Sequence, residues 1–318
     1  MNTILVTGGA GFIASHIVDK LIADGDKVVV VDNLSTGKLE NLNKEAIFYN
    51  VDILDNKLKE VFEIERPDYV IHHAAQIDVQ KSIRLPIDDA RINVSGTINI
   101  LECCRKYNVK KIIYASSAAV YGEPKYLGID EEHTVAPISY YGISKHTPEH
   151  YIKVYSELYD IKYTILRYSN AYGIRQDPKG EGGVISIFVD KLLEEDNPVI
   201  FGTGEQTRDF IYVNDIVDAN ILAISKGDNH IINIGTGVAI SINELFNSMK
   251  EIFESKVEPV YKEARKGDIL HSYFNISKAE KILGWKPRYP LKDGLRETIY
   301  FYKEIFEHRS FAASTKEE

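Results

Sequence analysis

A chain of 318 residues with 44% hydrophobic content is long enough to bury a large core and to divide into two lobes, because single cores stop growing near this length. Its 38 basic side chains against 47 acidic ones leave a net charge of −9 and no basic stretch to follow a phosphate backbone, which argues against nucleic acid as a partner. No run of about 18 apolar residues marks a membrane span, and the strand-like Asn2–Val6 has no signal-like leader before it, so a cytoplasmic protein is expected.

In chain order, Ile4–Thr7, Val28–Asp32, Ile47–Val51, Tyr69–His73, Lys111–Ser116 and Tyr163–Tyr168 read as strands separated by amphipathic segments of helical length. This alternation predicts an α/β fold, a doubly wound parallel (Rossmann) sheet with a smaller C-terminal substrate-binding lobe. Ligands on such sheets bind at the carboxyl ends of the strands. Gly8 and Gly11, Asp32, Asp52, Ala74-Ala75-Gln76 and Ser116-Ser117 all follow strands.

The first strand runs into Gly8-x-x-Gly11-x-x-Ala14, whose small residues allow a tight turn, a close approach of backbone to pyrophosphate and helix packing on the strand. Asp32 ends the next strand, where a carboxylate accepts from the adenosine ribose hydroxyls and repels a 2′-phosphate. Only Asn33 and Leu34 follow it, with no arginine, so NAD is expected rather than NADP. His72-His73 has no Cys or His partner at ligand spacing, which favours strand-end packing over a metal. Cys103 and Cys104 are adjacent on a helix-like stretch and read as buried thiols.

Tyr141 precedes Lys145 by four residues, which on a helix puts both on one face with Cβ atoms about 5–6 Å apart. A free tyrosine, with a pKa of about 10, is a poor base at neutral pH. A fixed ammonium and a cationic nicotinamide beside it favour the phenolate. Ser117 is placed to hydrogen-bond the same reacting oxygen. Pro148, three residues past Lys145, predicts a kink or irregularity in that helix.

Beyond Tyr172 a polar loop from Gly173 to Gly183 holds Arg175, Pro178 and Lys179, and a helix follows to about Glu195. Gly202-Thr-Gly204 and Gly235-Thr-Gly237 read as turns, Phe210–Val213 and Ile231–Ile234 as strands, and Ser241-Ile-Asn-Glu244 as a capping box. The expected division is residues 1–170, with returning segments near 210–236, for the dinucleotide domain. Residues 171–209 and 237–306 form the substrate lobe, and 307–318 a flexible tail.

Taken together, Thr7-Gly-Gly-Ala-Gly-Phe-Ile-Ala14, Asp32-Asn-Leu-Ser-Thr-Gly37, His72-His-Ala-Ala-Gln76, Asn93-Val-Ser-Gly-Thr97, Ser116-Ser-Ala-Ala-Val-Tyr-Gly122, Tyr141-x-x-x-Lys145, Leu166–Gly173, Gln206–Val213 and Arg265-Lys-Gly-Asp268 resemble the extended short-chain dehydrogenase/reductase family, in particular its UDP-glucose 4-epimerase-like members. The resemblance runs from Asn2 to about Tyr302. It implies that Gly8, Gly11, Phe12, Ile13, Asp32, Asn33, Asp52, Ile53, Ala74, Ala75, Gln76, Asn93, Lys145 and Tyr168 contact NAD, and that Ser117 and Tyr141 face the sugar C4 hydroxyl. It also implies that Asn170, Val184, Arg208, Arg265 and Asp268 bind the nucleotide diphosphate of a UDP-sugar, and that Ser272 borders the C2 substituent. Guanidinium groups such as Arg208 and Arg265 suit diphosphate because they bind its oxygens bidentately.

Related dehydratases and decarboxylases place carboxyl groups just after the serine, where this chain has Ala118 and Ala119. Elimination then lacks its general acid, and the implied activity is 4-epimerisation of a UDP-hexose through a transient 4-keto sugar, on the glucose/galactose pair and on the N-acetylated pair that a small Ser272 admits. The alternatives are another nucleotide-sugar epimerase, such as one for UDP-glucuronate, a dehydratase or a reductase. A non-catalytic NAD-sensing protein is the alternative from a different class. Ser169 stands where such epimerases commonly have Phe, and helices corresponding to Asn93–Tyr107 and Tyr141–Tyr159 pair into a homodimer in this family.

Overall fold

The computed structural model describes residues 1–178, 183–264 and 269–314. The run Val28–Val31 is buried on every residue, as a strand covered on both faces requires. It belongs to β2 (Lys27–Asp32), in a sheet with β1 (Thr3–Thr7), β3 (Ile47–Asn50), β4 (Tyr69–His72), β5 (Lys111–Ser117), β6 (Lys162–Tyr168) and β11 (His230–Ile234). The seven strands are parallel in the order β3-β2-β1-β4-β5-β6-β11, so the chain switches direction between β1 and β4 and opens a crevice there.

Strict alternation sends the two sets of side chains into two cores. Ile4, Val6, Val28 and Val30 pack under α1 (Phe12–Ala23), α8 (Val213–Ser225) and α10 (Ser277–Leu283). Leu5, Val29 and Val31 pack under α2 (Leu58–Glu65), α5 (Gly96–Lys106) and α6 (Tyr140–Tyr159). Cys103 and Cys104 lie in this second core as free thiols, and burial pushes Cys103 up to about 11. Between α2 and α5 come α3 (Val79–Arg84), α4 (Pro86–Ala90) and a π-helical turn over Arg91–Ser95.

A third core gathers Phe188 and Val189 of α7 (Val184–Leu193), Phe246 and Met249 of α9 (Ile242–Phe253), and Leu295 and Ile299 of α11 (Leu291–Ser314). Small ribbons border it: β7 (Asn170–Tyr172) pairs with β10 (Phe210–Tyr212), β8 (Val199–Phe201) with β13 (Val260–Lys262), and β9 (Thr207–Arg208) with β12 (Ile240–Ser241). Ser241 and Glu244 form the expected capping box.

One expected boundary differs. The strand expected over Phe210–Val213 ends at Tyr212, and Val213 already begins α8. Helix α11 runs to Ser314, so it takes in residues 307–314 of the expected tail, and residues 315–318 lie outside the described residues. The helix bearing Tyr141 and Lys145 spans Tyr140–Tyr159 with Pro148 buried inside it. Within it the Lys145 carbonyl accepts the Tyr114 hydroxyl at 3.2 Å.

Candidate active site

The crevice holds a cavity of about 360 Å³ lined at one end by Gly8, Gly11, Phe12 and Ile13 and at the other by Ser117, Tyr141 and Lys145. Gly8 adopts φ +70°, and a Cβ there would lie 2.8 Å from the Ala74 nitrogen, so only glycine lets β1 turn against the end of β4. Gly11 caps α1 without a side chain, which leaves the first-turn N–H groups at Phe12 and Ile13 directed to the cavity for an anion.

At the end of β2 the Asp32 carboxylate accepts from the Ala10 and Leu34 amides at 3.0 and 2.8 Å. Burial raises its pKa and these amides oppose the rise. A Cβ on Gly37 would approach both carboxylate oxygens to 2.9 Å, so a glycine keeps the approach to Asp32 open. Asn33 donates to Asp52 at 2.7 Å and ties the ends of β2 and β3 together. A glycine cradle, an open helix N-terminus and a carboxylate at the end of β2 fit NAD, its pyrophosphate at α1 and its ribose at Asp32.

Lys145 is buried, its Nζ 4.7 Å from the centre of the Tyr114 ring. Burial lowers its pKa to about 7, and the carboxylates of Glu149 and Asp89 restrain the fall. Ser117 ends β5, and its Oγ accepts from the Ala119 amide at 3.2 Å. Ala118 and Ala119 follow in a 3₁₀ turn, so no carboxyl stands there.

Of the predicted site residues, the cavity wall brings together Gly8, Gly11, Phe12, Ile13, Asp32, Asn33, Asp52, Ile53, Ala74, Ala75, Gln76, Ser117, Tyr141, Lys145, Tyr168 and Asn170. Asn93 stands behind the wall instead. Its amide exchanges hydrogen bonds with both backbone groups of Gln76, at 2.8 and 2.9 Å, and donates to Ser144 at 2.8 Å, so it shapes Gln76 rather than facing the cavity. Val184, Arg208 and Ser272 are also off this wall. Arg208 and Ser272 are nevertheless neighbours, because the Ser272 amide donates to the Thr207 carbonyl. The Asn170 amide donates to the Asp209 carbonyl, which sets Arg208 one residue from the cavity edge. Arg265 and Asp268 lie outside the described residues.

Several wall residues were not anticipated. Lys81 enters on α3, whose N-cap Asp78 accepts from the Gln80 and Lys81 amides, and Asp78 before an apolar residue was a legible helix start. Gln176 is buried on the wall with its Oε1 unpartnered among the described residues, and no sequence pattern marks it. His72 and His73 do pack at the strand end. His72 bridges Thr7 and Thr97 at 2.7 and 3.0 Å, and His73 meets Asn220 and Tyr168.

Comparison with known proteins places this geometry. Residues 4–235 match the model of the NAD dependent epimerase/dehydratase family. A chain of Methanocaldococcus jannaschii provisionally named a UDP-glucose 4-epimerase is 53% identical over 301 residues, 94% of this chain and 98% of that one. Among solved structures, a UDP-glucose 4-epimerase of Thermotoga maritima with UDP-glucose superposes with a TM-score of 0.94 at 48% identity, covering 95% of this chain and 99% of that one. A UDP-N-acetylglucosamine 4-epimerase of Methanobrevibacter ruminantium M1, in complex with UDP-N-acetylmuramic acid, gives 0.91 at 38% identity, with 96% and 99% covered. With its fingerprint, its crevice and its near full-length likeness to these proteins, the chain belongs to the NAD-dependent epimerase/dehydratase family.

Proposed function

We propose that this protein is a UDP-hexose 4-epimerase that interconverts UDP-glucose and UDP-galactose, and the N-acetylated pair, through a 4-keto sugar. The observation that carries this reading is the convergence of Ser117, Tyr141 and Lys145 on one cavity end with alanines at 118 and 119. Bound NAD supplies the hydride acceptor at sugar C4 and gives the hydride back. The Tyr141 phenolate takes the C4 hydroxyl proton, the Lys145 ammonium favours that phenolate, and Ser117 hydrogen-bonds the reacting oxygen. With no carboxyl beside Ser117, the chain has no acid there to expel water, so the keto sugar is re-reduced rather than dehydrated. Asn170, Val184, Arg208, Arg265 and Asp268 hold the nucleotide while the sugar turns over and presents its other face. Incubation with UDP-glucose, UDP-N-acetylglucosamine and UDP-glucuronate, with products identified by NMR, tests the reading. C4 inversion of the first two supports it, and a dehydrated or decarboxylated product opposes it.

The cofactor should stay bound through purification, since hydride recycling requires no exchange. Extraction and chromatography are expected to recover NAD and no NADP, because the Asp32 carboxylate repels a 2′-phosphate. Recovery of mainly NADP contradicts the role given to Asp32.

Sugar size is assigned to Ser272, next in sequence to His271, whose strand bridge to Thr207 sets it beside Arg208. A small side chain there leaves room for an N-acetyl group at C2. Ser272→Tyr is therefore expected to suppress turnover of UDP-N-acetylglucosamine while sparing UDP-glucose, because the clash acts against the larger substrate alone. Equal loss of both activities would remove Ser272 from that role. The exposed Ile143, Tyr151, Val154 and Leu158 of α6 suit the proposed homodimer, and sedimentation is expected to show a dimer at micromolar concentration.

A further inference from the structure

Behind the catalytic end of the cavity lies a buried ion pair. Glu149 follows Lys145 by one turn of α6 and is 1% exposed. Its Oε1 accepts from Ser116 Oγ at 2.6 Å and from Arg167 Nε at 2.9 Å, and its Oε2 accepts from Arg167 Nη2 at 2.5 Å. Ser116 and Arg167 oppose each other across the β5–β6 ladder, and the next rung pairs Ser117 with Tyr168. Both residues of that next rung line the cavity. One carboxylate thus fastens the helix bearing Tyr141 and Lys145 to the two strands bearing Ser117 and Tyr168, through a rung whose Ser116 also lines the cavity.

The fork of a guanidinium on a carboxylate is directional, so sliding or rolling α6 on the sheet breaks at least one of the three bonds. In a dry interior such a break leaves a polar group unpaired, which opposes the motion. An apolar pair of equal volume would fill the space without fixing the angle. We infer that Glu149 is a positioning residue for the reaction, setting Tyr141 and Lys145 against Ser117 through the Ser116–Arg167 rung. The inference rests on the 4-epimerase reading.

The same carboxylate faces Lys145 electrostatically. Burial depresses the Lys145 pKa to about 7, and Glu149 and then Asp89 on α4 oppose this. The other groups around Lys145 are the Tyr114 phenol on β5, Tyr141 on its own helix, and the imidazoles of His72 at the end of β4 and His73 just past it, which burial holds near 3 and 4. Glu149 is itself faced by Arg167 on β6, by Ser116 on β5, and on its own helix by His146, 3.3 Å away, and His150. Burial raises the Glu149 pKa, but the nearby His146, the hydrogen bonds and charge of Arg167 and the Ser116 hydrogen bond bring it to about 2, so it is charged throughout the working range. A negative charge beside Lys145 raises its pKa, so removing that charge moves the loss of the Lys145 proton to lower pH.

The test is the double variant Glu149→Leu/Arg167→Met, which leaves no charge buried alone. Its kcat is expected to fall about 100-fold, the scale of a misplaced catalytic group, while UDP-glucose KM and bound NAD per chain stay near wild type. The alkaline limb of the kcat–pH profile is expected to move to lower pH. A kcat within about threefold of wild type with an unmoved limb overturns the inference, and so does a loss of NAD and thermal stability in step with kcat, which marks a purely structural pair. Should the double variant not fold, Ser116→Ala decides: it removes one anchor, and unchanged kcat overturns the positioning role whereas a selective kcat loss supports it. Tyr141→Phe measured alongside separates the two levels. If the unmodified protein inverts C4 of UDP-glucose and the Glu149 variant is not impaired, only this inference fails, whereas no C4 inversion by the unmodified protein removes the 4-epimerase reading itself, and full activity in Tyr141→Phe removes the base assigned to Tyr141.

Discussion

Replacing Tyr141 with Phe is expected to lower kcat by about 10²–10⁴-fold, the usual worth of a positioned general base, and to leave UDP-sugar affinity nearly unchanged. The ring keeps its packing at the cavity end, and only the oxygen that takes the C4 proton is lost. Arg208→Ala should behave in the opposite sense, raising KM before kcat, because a guanidinium on a diphosphate contributes to ground and transition states alike. Steady-state kinetics with binding measured by calorimetry separates the two. If Tyr141→Phe retained more than about a tenth of wild-type turnover, Tyr141 would not be the base.

The second large effect is expected at Gly8. An alanine there meets two penalties together: a left-handed backbone at φ +70° and a Cβ 2.8 Å from the Ala74 amide nitrogen. The backbone strain alone costs about 1–3 kcal/mol. Relief of the contact pushes β1 and β4 apart at the point where the dinucleotide cradle forms, so NAD affinity should fall tenfold or more, about 1.4 kcal/mol. NAD content after gel filtration, read with the thermal midpoint, checks this. Full NAD retention at an unchanged midpoint would show that the cradle tolerates a side chain and that Gly8 does not set it.

What the sequence disclosed and what it hid follow from how each contact is encoded. The Rossmann strands are legible because a parallel sheet buried on both faces needs continuous apolar runs, and Val28–Val31 supplies one. The fingerprint is legible because glycine is required where Gly8 turns against Ala74, a local need with a local spelling. The Tyr141–Lys145 pair follows from helical spacing alone. The Glu149–Arg167–Ser116 clamp is not legible that way, because it joins one helix to two strands and each member taken singly reads as an ordinary side chain. The bonds of Asn93, which the resemblance places at the cofactor, are hidden for the same reason: its partners Gln76 and Ser144 come from other elements, and only the fold brings them to its amide.

The central claim, that hydride leaves sugar C4 and returns to it inside one cavity, is tested most directly with UDP-glucose deuterated at C4. Epimerised in ordinary water by the purified protein without added cofactor, the UDP-galactose formed should keep its deuterium at C4, as NMR or mass spectrometry will read. Replacement of that deuterium by solvent hydrogen, or a product altered at any carbon other than C4, would contradict the account.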